Sequence, residues 1–449
     1  MKSIFKIALN LTKTKIKSIS IEDTVIFVKV EPYKSEQYKC PVCGKKCRVY
    51  DVKQKPKYWR AQDIAASATY LEYKPVRVSC PEHGVIVQKV PWARHNSAFT
   101  KSFEEYVSYL SVYCTRSATS SLARIEWHTV GNICKRIYDE LEATRDISKW
   151  DDVKKIGIDE TSYKKGHKYL TVVVDHDKSS LLWAHEGKGS DVLELFFAQL
   201  TKEQCANIEV VTADGARWIK KVVKKYCKHA SYCMDPFHVI SWMTEALDKV
   251  RQQEWRTAKN AADSLKPKKR KGPGRPKKDE ENVDYKKAKE FQDILKGMRF
   301  PLLKNFENLN ESQEKKLENL KNLAGNHLFK AWEFKEDLRK IYSDKENAIE
   351  LLDAWLHKAA YCKIKPVVEV EKKIRKRKAD ILKAIDLGIG NGRIEAINNK
   401  IKVTVKMGYG FRNIDNLIAL LMLRCSDLKP KLPFHKNINP YKIVKRMAA

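Results

Sequence analysis

The sequence predicts an α/β chain: a mixed sheet interrupted by a long helical insertion and preceded by a metal-binding β module and a helix-turn-helix domain. Three observations carry that reading. Residues 153–240 interleave strand-like alternation with helical periodicity, residues 241–385 are almost wholly helical in pattern, and residues 1–98 read as short strands around a cysteine cluster.

Charge narrows the partners first. Against 56 acidic residues stand 88 lysines and arginines, a net charge of +32 over 449 residues. A surplus of that size points to a polyanion, because each phosphate neutralised releases condensed counterions. No run reaches the roughly 18 apolar residues of a spanning helix, and the lysine-interrupted N-terminus lacks a signal-peptide core. Eleven cysteines, an odd number, suit a reducing compartment better than a disulfide framework. The expectation is a cytoplasmic, nucleoid-associated protein with double-stranded DNA as partner and no membrane.

In residues 1–98, Thr24–Val30 and Tyr70–Val78 alternate as strands do. Cys40-Pro-Val-Cys43 and Cys80-Pro-Glu-His83 form two paired-ligand turns. Zn²⁺ takes tetrahedral thiolate and imidazole ligands, and four protein ligands leave no open position, so the role is structural. Gly44 and Gly84 follow the second ligand of each turn, and Cys47 is an alternative ligand.

Residues 99–147 read as the helix-turn-helix. Phe103–Leu110 opens it, Ser117–Ile125 gives a short helix, Glu126–His128 the turn and Thr129–Tyr138 the second helix. Val130, Ile133, Cys134 and Ile137 form a buried stripe, leaving Asn132, Lys135 and Arg136 to reach phosphates or base edges in the major groove.

Residues 148–240 hold the first part of the core: strands at 153–159, 168–176 and 180–185, a helix near 189–200, a strand at 208–213, then helices from about 215 and 236. The first three strands suggest an antiparallel meander, and the helix returns the fourth parallel to the first. Asp159 and Asp214 would then end neighbouring strands at the sheet edge where open α/β sheets bind ligands. Glu160, Asp175, Asp177 and Asp235 are local competitors.

The insertion, 241–385, contains Lys266–Lys278, in which eight of thirteen residues are basic and five are Pro or Gly. Its Gly274-Arg275-Pro276 resembles an AT-hook, which lays arginine in a narrow A·T minor groove. A second basic run, Lys372–Lys378, falls on a helix. In 386–427, Ile394, Ile397 and Ile401 make the buried stripe of a helix whose other faces carry Glu395, Asn398, Asn399 and Lys402. An apolar helix near 415–425 and a polar tail, 428–449, complete the chain. Two strand aspartates and one helical glutamate are the donor set that holds a pair of hard divalent cations for in-line attack on a phosphodiester.

In order, the segments Val90-Pro-Trp-Ala-Arg94, Ile156-Gly-Ile-Asp-Glu160, Thr212-Ala-Asp-Gly-Ala216, Asp235-Pro-Phe-His238, Asn391–Lys402 and Gly408-Tyr-Gly-Phe-Arg412 resemble the ISL3 family of insertion-sequence DDE transposases. The resemblance implies an RNase H-like catalytic core and a catalytic triad of Asp159, Asp214 and Glu395. It also implies two Mg²⁺ (or Mn²⁺) ions, which activate water for cleavage and then the freed 3′-hydroxyl for strand transfer. His238 would contact DNA near the scissile phosphate, with Arg393 and Lys402 as further DNA contacts. The partners would be the terminal inverted repeats and target DNA, bound by a homodimer on paired ends. The gap of 181 residues between Asp214 and Glu395 (395 − 214), against 55 between the aspartates (214 − 159), fits an insertion. A catalytically silent DNA-binding regulator and another RNase H-like nuclease are the alternatives. Intact carboxylates at all three positions argue against the first. The long insertion and separate reading modules argue against the second.

Overall fold

Alternating apolar residues build the N-terminal strands, and proline ends one of them. The computed structural model describes residues 1–266, 283–322, 327–390 and 392–432. After a short helix, α1 (Lys2–Ala8), come β1 (Thr14–Glu22), β2 (Val25–Pro32), β3 (Arg48–Val52), β4 (Lys57–Ile64), β5 (Ser67–Tyr73), β6 (Val76–Cys80) and β7 (Gly84–Val87). They form two sheets, ordered β1-β2-β5-β4 and β3-β6-β7. The single strand expected over 70–78 is therefore two. Pro75 has no N–H to give a ladder, and the chain leaves one sheet at Tyr73 and enters the other at Val76. Val28, Trp59, Leu71 and Trp92 centre this module's core, with Trp92 edge-on to Trp59 at 5.6 Å.

The helix-turn-helix follows as α2 (Lys101–Tyr113), α3 (Arg116–Ala123) and α4 (Trp127–Ala143). Thr100 and Thr115 cap the first two, each hydroxyl accepting an N–H three residues on. Arg124, left-handed at φ 53°, makes the turn. The turn thus precedes the expected 126–128, and Trp127 and His128 already belong to α4.

The central sheet comprises β8 (Lys155–Lys164), β9 (Lys168–Asp175) and β10 (Ser180–Glu186), then α5 (Ser190–Phe197), α6 (Lys202–Asn207), β11 (Val210–Ala213), α7 (Arg217–Tyr226) and β12 (Ser231–Met234). Its order is β10-β9-β8-β11-β12. The first three strands pair antiparallel, and β11 runs parallel to both β8 and β12. The meander and the parallel return strand are as expected. The fifth strand, β12, was not foreseen, because its four residues, Ser-Tyr-Cys-Met, are too few to show a period.

The helical region comprises α8 (Pro236–Ser264), α9 (Val283–Gly297), α10 (Arg299–Leu303), α11 (Glu311–Lys321), α12 (His327–Ser343), α13 (Ala348–Ala360), α14 (Lys365–Arg375) and α15 (Lys378–Leu387). It has its own core, to which Met243, Leu247, Leu338, Leu352, Trp355 and Ile374 contribute. The boundary drawn at 240 falls inside α8, which runs unbroken from the sheet into the insertion. The basic run 372–378 spans the end of α14 and the start of α15. Ala384 of α15 packs against Val210 of β11 and Cys233 of β12, on one face of the sheet. Arg275 and nearly all of the loop 266–278 lie outside the described residues, as do tail residues 433–449.

Two last helices, α16 (Gly392–Met407) and α17 (Ile414–Cys425), return to the sheet. Ile156, Ile158 and Val211 face α5 and α7 on one side. On the other, Val172, Val174 and Leu181 meet Ile394, Ile397 and Ile401 of α16 and Leu417 and Leu421 of α17. Each buried isoleucine contributes about 1.5–3 kcal/mol. Arg424 of α17 donates to the carbonyls of Ser111 and Cys114, joining the helix-turn-helix to the core. Among the described residues no helix is long and apolar enough to cross a membrane.

Candidate active site

Register brings the two aspartates level. Val211 pairs with Ile156 and Thr212 with Gly157 on parallel strands. Two residues on, Asp214 stands beside Asp159, with strands about 4.8 Å apart. Asp159 is mid-strand rather than at the carboxyl end, since β8 continues to Lys164. It shares a face with Gly157, opposite Ile156 and Ile158, and that face is covered by α16.

Asp159 accepts from the Glu160 N–H at 2.7 Å with one oxygen and from the Asn398 amide with the other. Asn398 is therefore a buried partner of Asp159, not one of the open positions of α16. Burial raises the Asp159 carboxyl above the usual aspartate range; the Glu160 N–H, Asn398 and His238 oppose that, and the Asp214 charge adds to it. Asp214 follows β11 directly and accepts from the Ala216 N–H at 2.9 Å. Gly215, at φ +81°, makes that turn; a Cβ there would stand 2.3 Å from the Met234 sulfur. Arg377 donates to the Gly215 carbonyl and stacks on Trp242, tying the insertion to the turn.

Glu395 is exposed on α16, one turn before Asn398. The oxygens of Asp159, Asp214 and Glu395 do not all lie within 4.8 Å of one another; among the described residues one cysteine–histidine group alone meets that limit. Lys402, also exposed, lies two turns beyond Glu395 on the same side. Arg393 binds the main-chain oxygen of His176, anchoring α16. His238 sits in the first turn of α8, its ring 3.6 Å from Asp235.

The competitors separate by what they touch. Asp175 caps a turn through the N–H groups of Asp177 and Lys178. Asp177 is exposed and pairs with Lys155 at 3.7 Å. Asp235 caps α8 through the Phe237 N–H. Glu160 differs: burial and then the Asp214 charge push its carboxyl up, and its Oε1 is buried without a hydrogen-bond partner. Glu160 lies on the face of β8 opposite Asp159, so it is the raised Asp159 carboxyl next to the Asp214 charge that a divalent cation would compensate.

The cysteine–histidine group is Cys40, Cys43, Cys80 and His83. Cys40 to His83 Nδ1 is 3.8 Å, Cys43 to Cys80 is 3.7 Å and Cys80 to His83 Nδ1 is 3.5 Å. Tetrahedral zinc requires ligand separations of about 3.5–3.8 Å. The His83 ring holds the Cys80 thiol down at about 6, and Cys47, which donates to the Lys45 carbonyl at 3.4 Å and also neighbours Cys80, is not among the four mutually close ligands.

On α4, Asn132 is exposed, but Lys135 pairs with Asp139 at 2.5 Å and Arg136 donates to Glu104 at 2.8 Å. Glu104 is fully buried and also binds Arg94 and Ser97. Arg136 is thus committed inside the chain, a contact its exposed helical position did not reveal. Sequence reasoning also missed the Asn398 contact, although its spacing of three from Glu395 was a usable signal. Arg377 carried no signal beyond lying in a basic run.

Residues 156–421 match the family model for DDE transposases of the ISL3 type, described as transposase, and residues 88–138 match the helix-turn-helix domain of transposase family ISL3. The chain is 38% identical over 442 residues to the transposase for insertion sequence element IS1557 of Mycobacterium tuberculosis, covering 97% of this chain and 98% of that one. With the transposase for insertion sequence element IS1001 of Bordetella parapertussis it shares 24% over 385 residues, 83% of this chain and 85% of the relative.

Proposed function

Because the chain belongs to transposase family ISL3, we propose that it cuts and rejoins DNA at the ends of its own insertion sequence, using Asp159, Asp214 and Glu395 in an RNase H-like core. The observation that carries this reading is the parallel register of β8 and β11, which puts Asp214, just past β11, level with Asp159 on β8, under the helix that bears Glu395. The strand order, with three antiparallel strands followed by two parallel ones, supports it.

Mg²⁺ or Mn²⁺, when bound, supplies the charge that polarises the phosphodiester and eases deprotonation of the attacking water or 3′-hydroxyl. Asp159, Asp214 and Glu395 would hold it, and Asn398 fixes the rotamer of Asp159. His238 and Lys402 hold the DNA backbone beside the cut. Asn132 reads the terminal repeats from α4, while the Cys40, Cys43, Cys80 and His83 cluster holds a structural Zn²⁺ that stiffens the neighbouring module. Pairing of two ends calls for a homodimer.

Incubating the full-length protein with DNA carrying the element's terminal repeats and Mg²⁺ tests the reading. The expected result is cleavage mapped to the repeat ends, leaving 3′-hydroxyls. Binding without any cleavage would favour the silent regulator instead.

A further inference from the structure

Where the helix-turn-helix meets the end of α16, a groove of about 540 Å³ is lined from three elements of the fold. Arg116 and Trp127 come from the helix-turn-helix, Tyr163 and Lys164 from the end of β8, and Tyr409 and Arg412 from the loop after α16. The Arg116 guanidinium stands 5.8 Å from the Trp127 ring centroid and 4.6 Å from that of Phe411.

The loop is built to present one ring and bury the other. Gly408 lets Phe411 fold back, since a Cβ there would meet the phenyl ring at 2.7 Å. Phe411 is 8% exposed, whereas Tyr409 is 97% exposed and holds a left-handed φ of 49°. A bulky residue rarely adopts that conformation, and such outliers cluster at functional sites. Trp127 is 51% exposed. Wet aromatic faces interleaved with cations are the chemistry that holds single-stranded nucleic acid, rings for bases and cations for phosphates. A base inside a duplex has both faces covered by its neighbours, so only an unpaired one can stack here.

Position relates the groove to the carboxylates. Tyr163 lies four residues past Asp159 on the same strand, about 13 Å at 3.3 Å per residue. That is about four base steps along one strand.

We propose that this groove takes an unpaired nucleotide of the DNA end, within about four positions of the cut, stacking its base on Tyr409 and Trp127 and its phosphate beside Arg116, Lys164 and Arg412. The proposal rests on the transposase reading. It adds a site that opens the duplex near the reacting bond.

The test compares two terminal-repeat duplexes bound by the full-length protein. One is fully paired; the other carries a single abasic site opposite each of the four positions flanking the cut, in turn. At one position the wild type should bind the abasic duplex about tenfold more tightly, because unpairing is already done and one stacked base is gained. Tyr409→Ala and Trp127→Ala should bring that ratio towards one, and Tyr409→Phe should keep it. Both Tyr409 variants alter an exposed side chain, so their melting temperatures serve as the folding control. A wild type that binds both duplexes equally, or a ratio that survives Tyr409→Ala, overturns the site while leaving the transposase reading intact. Binding to neither duplex overturns both.

Discussion

The Cδ1 atom of Ile394 occupies the space that a side chain on Gly157 would need: a Cβ there would be 1.8 Å from Cδ1 and 2.6 Å from Cγ1. Ile394 is 1% exposed and has nowhere to retreat. Absence of a side chain at Gly157 is therefore what lets α16 lie on β8, with Asn398 against Asp159. Gly157→Ala should destabilise the protein by about 1–3 kcal/mol through overpacking. Mg²⁺-dependent cleavage should fall further than binding of end DNA, because Glu395 rides on the displaced helix. Adding Ile394→Val should recover part of both. Unchanged cleavage in Gly157→Ala would show that this packing does not set the site.

The assignment of the carboxylates is tested by isosteric change. Asp159→Asn, Asp214→Asn and Glu395→Gln should each remove single-turnover cleavage while leaving end binding largely intact, since carboxylates that hold a metal would serve the reacting bond and not the recognition of the repeat. Glu160→Gln is the informative comparison. Glu160 faces α5, on the side of β8 away from Asp159, so measurable cleavage should persist. Loss in Glu160→Gln together with retention in Glu395→Gln would reverse the assignment.

Asn398 gives a pH prediction. Burial holds the Asp159 carboxyl above its usual range, and the Asn398 amide, by favouring the charged form, holds it down. The carboxylate binds a cation only when ionised, so cleavage is lost as pH falls through its pKa. Asn398→Ala removes a stabiliser of the charged form and raises that pKa. The acidic limb of the pH–rate profile should consequently move to higher pH, with the rate at high pH less affected. A profile reduced in height but unmoved along the pH axis would make Asn398 a purely structural residue.

Much of this site was legible because it is written in local patterns. Asp159 and Asp214 end apolar runs whose period marks strands, and their level pairing follows once β11 is parallel to β8. The helix that bears Glu395 was legible because three isoleucines give α16 a buried stripe. What stayed hidden depends on partners distant in sequence. Arg136 looks like a reading residue on its helix, yet the buried Glu104 that binds it lies 32 residues away. Arg377 is 162 residues from the Gly215 carbonyl it holds. The second β-module strand failed for a local reason, since period alone ran through Pro75.

Metal removal should separate structure from chemistry. The Cys40, Cys43, Cys80 and His83 atoms already stand at zinc-like spacing, so one zinc per chain is expected by metal analysis. Cys40→Ser with Cys43→Ser should release it and lower the melting temperature. Cys47→Ser should do neither, because its thiol is outside the group of four converged ligand atoms. Zinc content unchanged in the double variant, or lost in Cys47→Ser, would mean another ligand set.

Asn132 and Arg136 lie on one helix but should fail in different ways. Glu104 is fully buried and held by Arg136 at 2.8 Å, Arg94 at 3.2 Å and Ser97 at 2.8 Å. Taking away one cation leaves a buried carboxylate less compensated, so Arg136→Ala should cost about 1–3 kcal/mol of stability. Its guanidinium is already engaged, so the slope of log affinity against log salt for end DNA should stay the same. Asn132→Ala exposes no buried charge and should leave the melting temperature alone. If Asn132 reads a base edge, its loss should cost about 1–3 kcal/mol of discrimination between the terminal repeat and unrelated DNA. A shallower salt slope for Arg136→Ala would instead put that guanidinium on a phosphate, and would require the Glu104 contact to open when DNA binds.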